Sequence, residues 1–597
     1  MLMQRTIDEP RTVCHPWERE PARWESGLIE LALFLMTLLV FRHILSGSFL
    51  NWDDLTLVAN NERLTHPTLK GLSLFWTEYD TGFLALYTPM AYSVWWCLAW
   101  SFGLKSAVPF HATNLLLHAC NVVLVFMLLQ RLLGRCFTGS RMLIGATLGA
   151  CLYALHPMQA EPVCWISGFN NVIAATFGLY ALVRLCDALQ AQNRWRAGTW
   201  YLFATLGLLL AFCSKPTALV IPLVAAILCI LVLGESIRRT IRWLAPWCVL
   251  MVPFVWIGQK VQDASYMTFP LYQRLVVVAD TVSFYTSKVL IPYHISADYG
   301  RTPDFVLDRC TSQPLWPLAL LLIAVSIYVW RRFRWLGAAL AISVVAIAPT
   351  SGIIPFFFQS YSTVANRYFY VAMLGPALLL GAVVCLHQTR KAIAAWTFGL
   401  ALLGAMTVHA TIAWQGTYFW AEDMLQGNPH SLVGNLCMAG TLAHDRYFEQ
   451  ARPYFDEARK SNPAHPRLLL GLGMFYLETK QPGEALTCLM FLLKQNPHYR
   501  EAYPVIAAAA ALNGTPQLGV MALEGVVAVR PNDADVQAYL GSLYGYMARY
   551  DLAYAHLSRA LELDPTHERA LQFMAKLQSE MQGKGARSHA DVTHAKP

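Results

Sequence analysis

The sequence predicts an all-α protein in two parts, a polytopic membrane body of about eleven transmembrane helices and a helical-repeat array behind it. Three observations carry this. Of 597 residues, 56% are hydrophobic and only 14% charged, against about 25% charged in soluble domains, and mean hydropathy is +0.39. Apolar runs near the ~20 residues that cross a hydrocarbon core recur from residue 27 to residue 413. From residue 415 the texture turns charged and amphipathic, and prolines recur at a fixed interval.

Eleven runs read as spans: Gly27–Leu45, Phe110–Leu132, Met142–Leu155, Phe169–Leu189, Trp200–Phe212, Thr217–Leu233, Trp243–Ile257, Leu315–Trp330, Leu336–Ile353, Phe369–Leu386 and Ala392–Trp414. Alternate short loops hold the cations: Arg131, Arg135 and Arg141; Arg194 and Arg196; Arg238, Arg239 and Arg242; Arg331, Arg332 and Arg334; Arg390 with Lys391. That alternation is the positive-inside pattern, so the net charge of +8 argues for membrane orientation and against a nucleic-acid face. Residues 1–26 carry Arg5, Arg11, Arg19 and Arg23 ahead of the first run, too long a lead for a cleaved signal, and are expected in the cytoplasm. Tyr87–Trp100 and Arg274–Ile291 are apolar too. The first is short and Trp-rich, the second holds Arg274, Asp280 and Lys288, and both are expected to lie along the interface. The fourteen cysteines are scattered, with no Cys-x-x-Cys pair, which predicts neither a zinc site nor a disulfide framework.

Behind the body, Pro429, Pro463, Pro497, Pro531 and Pro565 stand 34 residues apart, the tetratricopeptide-repeat (TPR) period. Leu472, Gly473, Tyr476 and Ala485 keep that phase, as do Leu540, Gly541, Tyr544, Ala553 and Ala560, and Ala451, Phe455 and Ala458. The third repeat is the most degenerate. The expected division is 1–26 cytoplasmic, 27–414 membrane body, 415–582 an extracytoplasmic TPR solenoid closed by a helix Glu568–Gln582, and 583–597 a disordered tail. Such arrays hold peptide or protein segments in a concave groove.

Polar residues on the arginine-poor side are the candidates for chemistry. Asn51-Trp52-Asp53-Asp54 follows the first span. Two adjacent carboxylates there are a polar loop or helix cap, or a general base and metal ligand at an interfacial pocket. His156, Pro157 and Glu161 follow the third span, Lys215 stands between the fifth and sixth, and Arg367 precedes the tenth. Lys215 and Arg367 break the positive-inside pattern. They either snorkel to headgroups or, with the two acids, form an anionic-lipid site in which cations hold a phosphate and a carboxylate activates a hydroxyl.

With these motifs in order, the chain resembles the transmembrane and TPR-containing O-mannosyltransferase-like proteins, a branch of the GT-C glycosyltransferases. The resemblance rests on Trp52-Asp53-Asp54 with Asn60 and Asn61; on Tyr87-Thr88-Pro89 and the run from Pro109 through His111 and Asn114 to His118; on Ala154-Leu155-His156-Pro157 with Glu161-Pro162-Val163 and Gly168; and, less tightly, on Ser214-Lys215-Pro216 and Ala365-Asn366-Arg367-Tyr368-Phe369-Tyr370. It departs from the family where Phe169-Asn170-Asn171 replaces an Arg-x-Asp, where Pro216 follows Lys215 and where Asn366 precedes Arg367. The resemblance implies a GT-C membrane fold and transfer of a sugar, mannose among the candidates, from a polyprenyl phosphate to a hydroxyl of a protein or glycan acceptor recruited by the TPRs. It makes Asp53 the base, Asp54 a supporting carboxylate or, with Asp53, a ligand for a divalent metal ion, and Lys215 and Arg367 the donor-phosphate ligands. His156, Glu161, His111 and Asn114 are supporting groups. The alternative is a non-catalytic membrane-anchored TPR scaffold for envelope protein assembly. A transporter is disfavoured because no inverted repeat or pair of broken helices is visible. Few Lys, many Arg and Ala and a short array suit a bacterial inner membrane with periplasmic repeats, or luminal repeats in an endoplasmic reticulum membrane if the chain is eukaryotic. A periplasmic-type reporter fused after Gln582 should therefore be active and a cytoplasmic-type reporter silent; the reverse pair of readings would put the repeats on the other side.

Overall fold

Apolar runs without internal breakers become helices, and every expected span but one falls on a helix in the computed structural model, which describes residues 23–78, 86–261, 269–312, 334–354 and 356–593. Leu315–Trp330 lies outside the described residues. Among them no strand occurs, and the chain divides into two compact units between Asn428 and Pro429. The boundary falls later than residue 414 because the helix Thr417–Gly427 buries Trp420, Ala421 and Met424 within the first unit.

Among the described residues of the first unit, five helices are long and apolar enough by themselves to cross a membrane: Trp24–Ser46, Val108–Leu133, Ile166–Gln190, Ile237–Val261 and Arg390–Ala413. Gly139–Leu155, Pro216–Val232, Arg334–Thr350 and Leu374–Leu386 are apolar but shorter. Prolines stand at an end of three of them. Pro157 follows the first of these, Pro216 opens the second, and Pro349 ends the third in a 3-10 turn, Ala348–Thr350. Val108–Leu133 and Ile166–Gln190 are the most buried of the five, while Trp24–Ser46 exposes a stripe of Leu28, Leu31, Leu35 and Leu39. Tyr87–Trp100 is realised as Pro89–Phe102 and Arg274–Ile291 as Leu271–Leu290. Asp280, on the second, is buried and ion-paired with Arg301.

Hydrogen bonds sort the loops to two ends. At the arginine-rich end, Arg131 Nε donates to Asp187 at 2.6 Å, Arg239 to Leu189 O at 3.3 Å, Arg334 to Leu231 O at 3.1 Å and Gln388 to Arg141 O at 3.1 Å. At the opposite end, Ser48 N donates to Gln415 O at 3.0 Å, Met90 N to Cys213 O at 3.1 Å and Asn366 N to Glu161 at 2.9 Å. The segment 47–109 is folded onto this end. Its Val58, Leu64, Phe75, Trp95 and Trp96 share a core with Phe110, Ile166, Phe169 and Ile173.

The second unit alternates short helices in pairs: Leu432–His444 with Phe448–Ser461, Pro466–Glu478 with Pro482–Gln495, Ala502–Leu512 with Pro516–Val529, and Ala534–Tyr546 with Tyr550–Leu563. The last helix, Glu568–Thr593, runs past the expected Gln582; no proline interrupts 583–593, and Lys584, Ala586, Arg587 and Ala590 favour continuation. Small residues bring the paired helices together, with Ala451, Ala485 and Ala553 fully buried. The turn inside each pair uses one left-handed residue, Arg446, Lys480, Gly514 or Ala548, again 34 apart, with φ of 64°, 60°, 70° and 56°.

In the first unit Gly139–Leu155 and Leu374–Leu386 approach closely, and a Cβ on Gly149 would lie 2.5 Å from Ala377 O and 2.7 Å from Leu129 Cδ1. Gly149→Val is therefore expected to destabilise by about 1–3 kcal/mol through overpacking, read as a lower thermal midpoint in detergent. Gly198→Ala, with nothing within 4 Å, is the control, and equal midpoints for the two variants would contradict the packing argument.

Candidate functional site

Four separated segments meet at the arginine-poor end. Glu161 lies on the short helix Ala160–Cys164, which Asn114 clasps by donating to Val163 O at 3.2 Å and Trp165 O at 2.9 Å. The buried Glu161 carboxylate pairs with Arg367 through Oε1 and accepts Asn366 N–H through Oε2 at 2.9 Å. Arg367 is further held between aromatic faces, 4.1 Å from the Phe358 centroid, 4.8 Å from Tyr368 and 5.2 Å from Trp165. Such a pair supplies geometry more than net stability, and each partner depends on the other.

Lys215 is buried beside this pair. Its Nζ donates to Asn171 Oδ1 and stands 5.8 Å from the Tyr368 ring centroid. Burial, with Arg367 nearby, lowers the ammonium pKa to about 7 against the opposing pull of Glu161. Asn171 is a neutral acceptor, so the bond satisfies a donor without cancelling a charge. A small, partly enclosed cavity lies against Arg367, with Asn171, Thr217, Thr350, Arg367 and Tyr368 on its polar side and Ala174, Val220, Ile221, Ala346 and Val371 on its apolar side; Lys215 reaches it only through its partner Asn171.

The adjacent acids do different things. Asp54 is fully buried. One of its oxygens accepts both Ser167 N–H at 2.9 Å and Ser167 O–H at 2.5 Å, and the other accepts Leu50 N–H at 3.1 Å. Burial pushes its carboxyl up to about 7, against the three donors that favour the ionised form. With both oxygens engaged by the protein, Asp54 suits a structural carboxylate and is poorly placed as a metal ligand. Among the described residues no three His, Cys, Asp or Glu side chains converge as a metal site. Asp53 is half-buried and near enough to act electrostatically on Arg367 and Tyr368, the smallest of the influences on each.

Of the residues predicted from sequence, then, Asp53, Glu161, Lys215 and Arg367 come together. Asn114 and His156 serve the scaffold. His156 accepts Met158 N–H through Nδ1 at 3.3 Å, and its Nε2 lies 3.3 Å from Val289 O. His111 is buried against the backbone of Ser48 and Cys164, with Gly47 so close that a Cβ there would lie 3.0 Å from Nε2. Sequence reasoning missed Tyr368, Trp165, Ser167 and the role of Asn171. The Asn at 171 was noticed only as a departure from a pattern, and the aromatic neighbours of Arg367 were within reach of the Arg367-Tyr368 dipeptide.

The TPR family matches residues 444–509 and 534–567. No curated protein matches the chain. Among solved structures, the chain is similar to MamA, at 23% identity over 27% of this chain and 86% of that one with a TM-score of 0.23. It is similar to YrrB, a TPR protein described as having an unusual peptide-binding site, at 19% identity over 30% and 88% with a TM-score of 0.23. PilF of Pseudomonas aeruginosa matches at 16% identity over 33% and 87% with a TM-score of 0.24. The chain thus carries TPR repeats as its second unit, attached to a helical first unit with several helices able to span a membrane.

The raised Asp54 pKa has a sign that can be tested. A carboxyl whose folded-state pKa lies above its unfolded value of 3.8 contributes stability that is fully present below that value and is lost as pH rises through about 7. The wild-type thermal midpoint should fall between about pH 4 and pH 7 and level off above, and Asp54→Asn, though less stable overall, should flatten that fall. An unchanged slope in the variant would remove Asp54 as its source.

Proposed function

We propose that the chain is an integral-membrane glycosyltransferase that moves a sugar from a polyprenyl-phosphate donor to a hydroxyl acceptor, with its repeats recruiting the acceptor or a partner protein. The membrane body takes the eleven-span form, in a bacterial inner membrane, with the arginine-poor end and the repeats on the periplasmic side. The single observation that carries this reading is the convergence of Glu161, Lys215 and Arg367, with the charge of Asp53 acting on Arg367, from segments more than three hundred residues apart at their extremes, where Arg367 and the Lys215 partner Asn171 line one cavity with a polar and an apolar side. A lipid phosphate matches that pairing of cation and apolar wall.

In the step proposed, the Asp53 carboxylate takes the proton of the acceptor hydroxyl. The acceptor oxygen forms its bond to the anomeric carbon from the face opposite the phosphate, and the anomeric carbon–oxygen bond breaks with its electron pair going to the phosphate. The leaving phosphate is already a stable anion and needs no general acid, so the work of the site is electrostatic. Lys215 is the cation suited to it, since Arg367 is committed to Glu161. With a pKa of about 7 in the empty site, Lys215 takes up a proton as the anion arrives. The apolar side of the cavity accepts the first part of the prenyl chain.

Asp53→Asn should lower sugar transfer about 10²–10⁴-fold, the usual worth of a general base, with donor affinity retained. Lys215→Met should weaken donor binding and abolish the accompanying proton uptake, measured by calorimetry in buffers of different ionisation enthalpy. Full transfer by the Asp53 variant removes it as the base. No turnover of any polyprenyl-phospho-sugar by the parent protein would favour the membrane-anchored scaffold instead.

A further inference from the structure

The helix Thr417–Gly427 ends the first unit, and its first residue, with Gln415 just before it, is bonded to the end of the helix Trp24–Ser46 and to the loop that runs from it to the acids. Thr417 Oγ1 accepts Asn51 N–H at 2.9 Å. Gln415 O accepts Ser48 N–H at 3.0 Å, and the Gln415 side-chain amide donates to His43 O at 2.9 Å and Ser46 Oγ at 3.0 Å. Four residues of the stretch 43–51, immediately before Asp53, are thus fixed by two residues of the junction. An aromatic path runs the same way. Trp165, under Arg367, lies 6.3 Å from Trp414 between ring centroids, and Trp414 lies 5.9 Å from Trp420 on the helix itself.

We infer that Gln415 and Thr417 are positioning residues for the acidic loop: the segment that leads into the repeats also sets where the Asp53 carboxylate stands. The reasoning is geometric. Asp54 is locked inward by Ser167 and Leu50, which fixes the far side of the loop. The near side is held by the burial of Leu50, by Phe49 against Phe110 at 5.5 Å between ring centroids and by the close approach of Gly47 to His111, and the junction supplies its backbone hydrogen bonds at Ser48 and Asn51. If the junction bonds are lost, the backbone at Asn51 loses an acceptor for its N–H and Asp53, two residues on, loses its register against Arg367 and Tyr368. A displacement on the order of 1 Å at a reacting group costs up to roughly 10²-fold in rate.

This inference rests on the proposed reaction for its kinetic arm but not for its structural arm, and the test separates the two. Thr417→Val keeps the size and removes the acceptor, and Thr417→Ser keeps the acceptor. In the full-length protein in detergent, Thr417→Val should raise amide hydrogen exchange in peptides covering 47–55 while peptides covering 466–478 stay unchanged, and Thr417→Ser should restore wild-type exchange. With a polyprenyl-phospho-sugar donor, Thr417→Val should lower kcat roughly 10-fold or more at constant KM for the donor, because Lys215 is untouched, and Thr417→Ser should recover kcat. Gln415→Leu should act in the same direction on both readings. Unchanged exchange at 47–55 in both Thr417→Val and Gln415→Leu overturns the inference whether or not the parent protein transfers sugar. Raised exchange with no turnover by the parent supports the positioning while rejecting the reaction.

Discussion

A charge taken out of water needs a partner, and the arginine-poor end of the first unit is organised by that requirement. Glu161 meets Arg367 and the Asn366 amide. Asp280 meets Arg301. Asp54 meets Ser167 and Leu50, and Lys215 meets Asn171. Three of the four bring together residues far apart in sequence, and Asp280–Arg301 closes a shorter loop. Together they pin the acidic loop, the turn after Gly139–Leu155, the Lys215 turn and the Asn366–Phe369 turn against the same helix ends. Removing one member of a buried ion pair leaves the other uncompensated, at about 3–5 kcal/mol. These pairs are also why the end can present a half-buried carboxylate and a buried ammonium without collapsing into neutralised contacts. The strongest attraction available, that of Arg367, is already spent on Glu161.

How far this was legible in the sequence depends on whether a residue announces itself by breaking a pattern. Lys215 and Arg367 do, as cations in arginine-poor loops, and the Asp53-Asp54 pair does, as adjacent acids at a span end. Their partners do not. Ser167, Asn171, Trp165 and Tyr368 are ordinary residues in helical or aromatic surroundings, and only the tertiary contacts give them a role. His111 and Asn114 were singled out by the family resemblance and His156 also as a polar residue beside a span, and a polar residue in such a place is equally what a scaffold hydrogen bond requires. Span length was the weaker inference for a related reason. Hydropathy reports where helix is apolar, but Pro157, Pro216 and Pro349 decide where it stops, so several apolar runs yield helices shorter than their hydropathy suggests.

The repeat unit was legible because its constraint is periodic. A helix pair that cannot bury its face alone must repeat its packing residues at a fixed interval, and prolines mark the interval. What the period did not reveal is the left-handed turn residue inside each pair. Only Gly514 among Arg446, Lys480, Gly514 and Ala548 is a glycine, so composition gives no signal at the other three. The two helices must reverse within a few residues, and burying faces such as Ala485 and Leu489 against Gly473, or Ala553 and Leu557 against Gly541, outweighs the roughly 1–2 kcal/mol cost of each such φ.

The division between Asp53 and Asp54 follows from backbone geometry rather than from any difference in the side chains. The two open a helical segment that continues into the turn Leu55–Ala59, and consecutive helical residues point about 100° apart. Once the hydrophobic packing of Leu50 and Val58 fixes the face turned inward, one of the two acids must be buried and the other must stand at the edge. The buried one then needs donors, and Ser167 and Leu50 supply them. The other is left where Arg367 and Tyr368 feel its charge. A dipeptide of identical acids is in this way resolved into a latch and a surface carboxylate by the helix it begins, and an exchange of their roles would require turning the whole segment over rather than moving a side chain.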